Sequence, residues 1–265
     1  MKDFENKVIW ITGASSGIGE AASIAFAKLN AKLVLSSRRK DELERVGKLC
    51  NITDDKLLIL PFDLSDVSSF QHQLDSILKK FGRIDLLFNN GGFSQRSEAV
   101  NTSLELDRKI MEVNFFANIA LAKLVLPIMI KQNTGQIVVM SSIAGKFGFF
   151  LRSSYSAAKH ALHGFYESLR LETEQYGIRI LIVCPGKIKT NISLNAVTED
   201  DVKHNKMDES HKDAMSAEIC AANIIEAIKK NKEELMVGGK ELKAVWIKRF
   251  FPNLLTRILR KQSPF

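Results

Sequence analysis

Seven short apolar runs, separated by longer amphipathic stretches, limit what this chain can become. They read VIWIT (8–12), KLVLS (32–36), LLILP (57–61), IDLLF (84–88), QIVVM (136–140), RILIVC (179–184) and ELMVGG (234–239). Most are apolar on both faces, which suits strands of a parallel sheet covered on two sides better than half-exposed strands. The stretches near 18–29, 40–50, 66–80, 103–131, 154–176 and 216–230 read as amphipathic helices. This alternation implies right-handed crossovers and predicts a doubly wound α/β sandwich of about seven strands with helices on both faces. Ligands of such a sheet sit beyond the carboxyl ends of its strands, so the chemistry is expected just after the runs.

The chain has 265 residues and is 45% hydrophobic, enough to fill one domain of this kind. We read 1–241 as that domain and 242–265 as a basic amphipathic C-terminal tail. Cys50, Cys184 and Cys220 are odd in number and lack metal-type spacing, so they read as reduced thiols in a cytoplasm-like compartment. His72, His160, His163, His204 and His211 form no metal signature, and no metal is expected. The start, MKDFENKVIWITG, has no apolar run long enough for a leader or a membrane span.

ITGASSGIGEA follows the first run and opens the first helix. Gly13, Gly17 and Gly19 allow a tight turn, backbone approach to a pyrophosphate, and close helix packing. The helix N-terminus adds free N–H groups and a positive dipole end. The reading is a Rossmann-type dinucleotide loop, against a plain Gly-rich turn. After the second run, VLSSRRK offers no carboxylate for ribose hydroxyls before Asp41. Ser36 and Ser37 leave room there, and Arg38 and Arg39 can pair with a 2′-phosphate, which favours NADP(H) over NAD(H).

Tyr155 and Lys159 are four apart on one helix face. An ammonium beside a phenol favours phenolate, so Lys159 is expected to lower the Tyr155 pKa toward the working range of an acid–base group. Chance produces such pairs often, so the pair needs company. Ser142 ends the VVMSS run, where a hydroxyl could hold a carbonyl oxygen as charge builds on it. Asn114 lies in the 103–131 helix, NNGG (89–92) follows the fourth run, and CPGKIKT (184–190) follows the sixth.

TGASSGIG, FDLSD, NNGG, the VN at 113–114, SSIAG, YSAAK and PGKIKT occur in that order. With them the sequence resembles the short-chain dehydrogenase/reductase family over nearly its whole length. DRKIMEVNFF, RSSYSAAKHAL and TNISLNAVTEDD are similar to its member 7 and 7B branch. The resemblance implies that Tyr155 is the acid/base, that Ser142 polarises the carbonyl, that Lys159 tunes Tyr155 and holds ribose, and that Asn114 anchors a water relay. It also implies a cofactor site of Gly13, Ser15, Ser16, Gly17, Ile18, Gly19, Ser37, Arg38, Arg39, Asp63, Leu64, Asn90, Gly91, Tyr155, Lys159, Pro185, Gly186, Ile188 and Thr190. Asp63 would meet the adenine, Asn90 the ribose, and Ile188 and Thr190 the nicotinamide carboxamide. Gly91 stands where the family pattern usually has Ala, which predicts slightly weaker packing. The substrate implied is a carbonyl or alcohol, with lipid-, steroid- or retinoid-like bodies as candidates, and the assembly a homodimer or homotetramer. The hydrophobic N-terminal anchor often found in the branch is not expected here.

The polar stretch 191–215 is expected to be a substrate lid, against a plain surface insertion. Phe93, Ser94, Arg96, Phe147, Phe149 and Arg152 are candidates for the pocket wall. The tail, LKAVWIKRFFPNLLTRILRKQSPF, has six basic residues and no acidic one, and these account for most of the net charge of +8. Trp246, Ile247, Phe250, Leu254 and Ile258 recur at near-helical spacing, with Pro252 breaking the segment. It reads either as a helix on an anionic membrane surface, which would make the protein peripheral, or as packing on its own domain or a partner. No nucleic-acid-binding module is visible. The competing functions are an NADPH-dependent oxidoreductase, a non-catalytic dinucleotide-binding scaffold, and a membrane-surface partner.

Overall fold

Every apolar run becomes a strand. A computed structural model describes residues 1, 3–192, 194–200, 202 and 214–261. Its strands are β1 (Val8–Thr12), β2 (Lys32–Ser36), β3 (Leu57–Ile59), β4 (Leu86–Asn89), β5 (Gly135–Met140), β6 (Ile178–Pro185), β7 (Ile188–Lys189), β8 (Met215–Ser216) and β9 (Glu234–Val237). Seven of them form one sheet in the order β3-β2-β1-β4-β5-β6-β9, parallel throughout. The order reverses at β1, which lies between β2 and β4, so a crevice opens beyond its carboxyl end. LLILP keeps only three strand residues, because Pro61 has no N–H for the ladder.

The helices are α1 (Gly17–Ala27), α2 (Lys40–Cys50), α3 (Phe70–Phe81), α4 (Leu104–Met111), α5 (Ala117–Gln132), α6 (Ser153–Thr173), α7 (Ala217–Lys229), α8 (Lys243–Phe250) and α9 (Pro252–Arg260). They cover both faces of the sheet, and alternate residues of each strand feed opposite cores. Ile9 and Ile11 pack with Phe26, Val46 and Ile224 on one side. Val8 and Trp10 pack with Ile77, Leu121 and Tyr166 on the other. Cys50, Cys184 and Cys220 are buried free thiols.

Two features of the fold affect the site, the first a difference from the sequence reading. The single helix expected over 103–131 is α4 and α5 joined by a π-helical turn, Glu112–Phe116. A 3.6-residue periodicity has no room for that wider turn, which turns Asn114 into the interior, where its Nδ2 donates to Ile110 O at 3.0 Å. The second concerns the tail, which packs on the domain, one of the two readings given for it. Pro252 divides it as expected, and Leu255 is buried against Ile143 and Phe147, with Leu259 packed alongside. Leu104–Gln132 is long and apolar enough to cross a membrane by length and composition, yet Leu121, Ala122, Val125 and Met129 on it are core residues.

Candidate active site

The loop after β1 is built for close approach. Gly13 takes a φ of +64°, a left-handed conformation that a side chain would strain. A Cβ on Gly19 would stand 2.2 Å from Gly13 O, so the loop and the first turn of α1 touch backbone to backbone. Ser16 precedes α1 without its side chain capping the helix, which leaves the helix N-terminus to an anion. The sequence reading passed over Thr12. Its Oγ1 accepts from the Asn90 and Gly91 N–H groups, each at 3.0 Å, and so locks the β1 and β4 ends together. Its signal was its place between the strand and the first glycine of the motif.

Asn90 has a second role beside the ribose contact expected of it. Its Nδ2 donates to Thr12 O at 3.0 Å and Gly13 O at 3.1 Å, so it buttresses the tight turn. Gly91 does not leave the looser packing predicted for it. A Cβ there would lie 2.5 Å from Leu64 Cδ1, so Leu64 already fills the space that an alanine methyl would take.

The adenosine end is cationic. Arg39 Nη2 donates to Ser15 Oγ at 3.0 Å and lies 3.4 Å from Ser16 Oγ, and its backbone N–H donates to Ser37 Oγ at 3.2 Å. Arg38 lies exposed, 3.8 Å from Asp63 Oδ2. Asp63 Oδ1 accepts from the Ser65 N–H and hydroxyl at 2.9 and 2.8 Å. Ser36 is committed to the core, where its Oγ accepts from Trp10 Nε1 at 3.0 Å. A cavity of about 640 Å3 runs beside the loop, walled by Ser16, Gly17, Arg39 and Thr190.

A second cavity, of about 520 Å3, gathers the expected catalytic set: Asn114, Ser142, Tyr155 and Lys159. Ile18, Asn90, Pro185, Gly186, Ile188 and Thr190 of the expected cofactor set line it too. Ser142 follows β5 and caps a short turn, its Oγ accepting from Ala144 N at 3.1 Å. Tyr155 and Lys159 stand on α6, both buried. Asn114 Oδ1 is buried with no hydrogen-bond partner among the described residues, and a Cβ on Gly92 would lie 2.6 Å from it and 3.8 Å from Lys159 Nζ. Two polar groups thus face one small space, as a water relay or a ribose hydroxyl would require. With the uncapped α1 N-terminus, this fits a dinucleotide.

The electrostatics differ from the sequence expectation. Burial raises the Tyr155 pKa above its ordinary value, outweighing the charge of Arg152 and a hydrogen bond from Ser142. The nearby cation that eases the phenolate is therefore Arg152, which the sequence reading took only as a wall residue. The Lys159 ammonium lies 5.5 Å from the Tyr155 ring centre and donates to Met140 O at 2.8 Å. Burial lowers its own pKa to about 8.

The wall is partly as expected. Ser94, Arg96, Phe149 and Arg152 line the cavity, joined by Ile143, Phe150, Ile192 and Leu259. Phe93 packs instead with Leu106, Ile110 and Tyr155, and Phe147 is buried with Leu255. Glu241 was also missed: its Oε1 accepts from Lys187 N at 2.7 Å and Gly239 N at 3.0 Å, clamping the segment after β6. About half of the lid expected at 191–215 falls outside the described residues, and so do His204 and His211. Within the described part, Arg96 N donates to Val197 O at 2.7 Å. His163, Cys184 and Glu234 come within 4.8 Å of one another, but the Lys146 ammonium already stands among them, 2.7 Å from Glu234 Oε2 and 3.3 Å from His163 Nδ1.

A switch-point crevice, a glycine loop at a helix N-terminus, and a Ser, Tyr, Lys and Asn set on one cavity define a nicotinamide-dependent oxidoreductase site. Residues 7–201 match the profile of the short chain dehydrogenase family, and the chain belongs to the short-chain dehydrogenase/reductase family. It is 40% identical to human "Dehydrogenase/reductase SDR family member 7", across 99% of this chain and 76% of that protein. It is 37% identical to "Dehydrogenase/reductase SDR family member 7B" of Bos taurus, across 97% of this chain and 82% of that one. Among solved structures, a short chain dehydrogenase/reductase from Burkholderia phymatum in complex with NAD superposes with a TM-score of 0.84 at 24% identity, covering 96% of each chain.

Proposed function

We propose that the protein is an NADPH-dependent reductase or dehydrogenase acting on the carbonyl or secondary alcohol of a bulky apolar molecule. The observation that carries this reading is the convergence of Ser142, Tyr155, Lys159 and Asn114 on one cavity that Ile18, Ile188 and Thr190 also line. A bound nicotinamide supplies or accepts the hydride. Ser142 holds the substrate oxygen, and Tyr155 gives it a proton in reduction or takes one in oxidation. Arg152 supplies the positive field that makes the phenolate less costly once substrate closes the site, and Lys159 is left to hold a ribose hydroxyl. Ile143, Phe149, Phe150, Ile192 and Leu259 offer an apolar body its surface, with Arg96 and Arg152 at a polar end.

The preference for NADPH rests on this chain's own residues. Ser15, Ser37, Arg38 and Arg39 cluster beyond β2 and could take a 2′-phosphate, while Asp63 lies against Arg38 and Glu20 and Glu42 pair with Arg45. Calorimetry should give NADPH at least a tenfold tighter Kd than NADH, about 1.4 kcal/mol, with most of that lost in Arg38→Ala with Arg39→Ala. A screen of carbonyls and alcohols by NADPH absorbance then identifies the substrate class. Equal affinities would remove the NADPH assignment. A Tyr155→Phe enzyme that turns over like the wild type would remove the catalytic one.

A further inference from the structure

Helices α8 and α9 bury one side and expose the other. Leu255 and Leu259 hold them against Ile143, Phe147 and Phe149, so the core fixes which side faces out. On the outer side Trp246, Phe250, Phe251 and Leu254 are 56, 60, 62 and 47% exposed. Trp246 and Phe250 stack with their rings 3° apart and their centres 6.1 Å apart. Lys243, Lys248, Arg249, Arg257 and Arg260 are exposed on the same two helices, and 242–265 holds no acidic residue. Lys243 is one turn before Trp246, and Arg257 one turn after Leu254.

We propose that this face docks on an anionic lipid bilayer, its four apolar side chains entering the boundary between headgroups and acyl chains and the cations one turn from them, Lys243, Arg249 and Arg257, meeting lipid phosphates and carboxylates. The charges select that occupant. A second copy pairing through the same face would set Lys243, Arg249 and Arg257 against their own copies, with no acid in 242–265 to offset them. A nucleic acid would satisfy the cations, but Trp246 and Phe250 already stack on each other, and Leu254 and Phe251 would gain no apolar partner. An anionic bilayer meets both demands at once. Leu259 also lines the catalytic cavity, so the docked surface adjoins the pocket wall.

The chain's two tryptophans make the test direct. Trp10 is buried in the core, so a change in emission on adding lipid reports Trp246. The full chain is mixed with vesicles of phosphatidylcholine alone, or of phosphatidylcholine with phosphatidylserine. We expect a blue shift and co-sedimentation with the serine lipid only, weakening as salt rises. Lys243→Glu with Arg249→Glu and Arg257→Glu should lower partitioning more than about a hundredfold, with circular dichroism unchanged. The proposal is overturned if the wild type neither shifts nor sediments at low salt, or if the triple variant binds as well as the wild type. It is also overturned if a polyanion binds while vesicles do not. Self-association that Phe250→Ser abolishes, in place of vesicle binding, would assign the face to a second copy.

Discussion

Replacing Lys159 with Met tests how the site holds a charge away from water. The ammonium is buried, and its pKa is about 8 against an ordinary value of 10.5. That gap of about 2.5 disfavours the charged form in the folded protein by about 3 kcal/mol. Between pH 8 and 10.5 the unfolded chain still holds the proton that the native protein has released. Wild-type stability therefore rises by about 1.4 kcal/mol per pH unit across that window, while below pH 8 the whole penalty is present. Met has similar length and no proton to lose. Losing the bond to Met140 O costs about 1–3 kcal/mol, but that cost is the same at every pH and drops out of a comparison between two. From pH 7 to pH 9.5 the wild type should thus gain about 2 kcal/mol on the variant. Urea unfolding of both proteins at the two pH values, without dinucleotide, measures it. A stability difference that stays constant between the two would show that Lys159 is not a desolvated charge, and the argument would fall.

Tyr155→Phe keeps the ring that packs on Leu106 and Ile110 and removes only the proton donor. Turnover should fall about 10²–10⁴-fold while calorimetric NADPH affinity stays within a few-fold of wild type. Gly19→Ala drives a methyl into Gly13 O, which is backbone and cannot move aside. It should cost about 1–3 kcal/mol in chemical unfolding and weaken dinucleotide binding, despite alanine's better helix propensity. Gly91→Ala meets only the end of the Leu64 side chain, so it should cost less than about 1.5 kcal/mol. Adding Leu64→Val should recover part of that loss, a non-additivity that thermal unfolding of the four proteins would detect.

The sheet was legible because its information is local. Strands buried on both faces must be apolar through their centres, as Val8–Ile11, Leu33–Leu35 and Ile137–Met140 are. The loop was equally legible, because glycine spacing records where backbone must approach backbone. What the sequence concealed depends on residues far apart in the chain. Nothing around Phe147 or Phe150 distinguishes a buried ring from a cavity wall; the difference is that Leu255 packs on one and not the other. The role of Leu64 opposite Gly91 is likewise a meeting of two loops. Arg152 is three residues from Tyr155, yet its part in the electrostatics emerges only once the pocket excludes water from the phenol. The wider turn at 112–116 broke the helical period that located Asn114, and a residue expected on a regular helix was found turned inward.

Leu259, packed into the cavity wall from the last described helix, has a consequence for how the enzyme is made. The glycine loop, Ser142, Tyr155 and Lys159 all leave the ribosome well before it, and so does β9, the last strand of the sheet. The dinucleotide crevice is thus complete in the nascent chain while the pocket still lacks one wall. A stop codon after residue 241 would spare every residue of the hydride and proton machinery, but it would uncover Ile143 and Phe147 beside Ser142 and open the pocket wall.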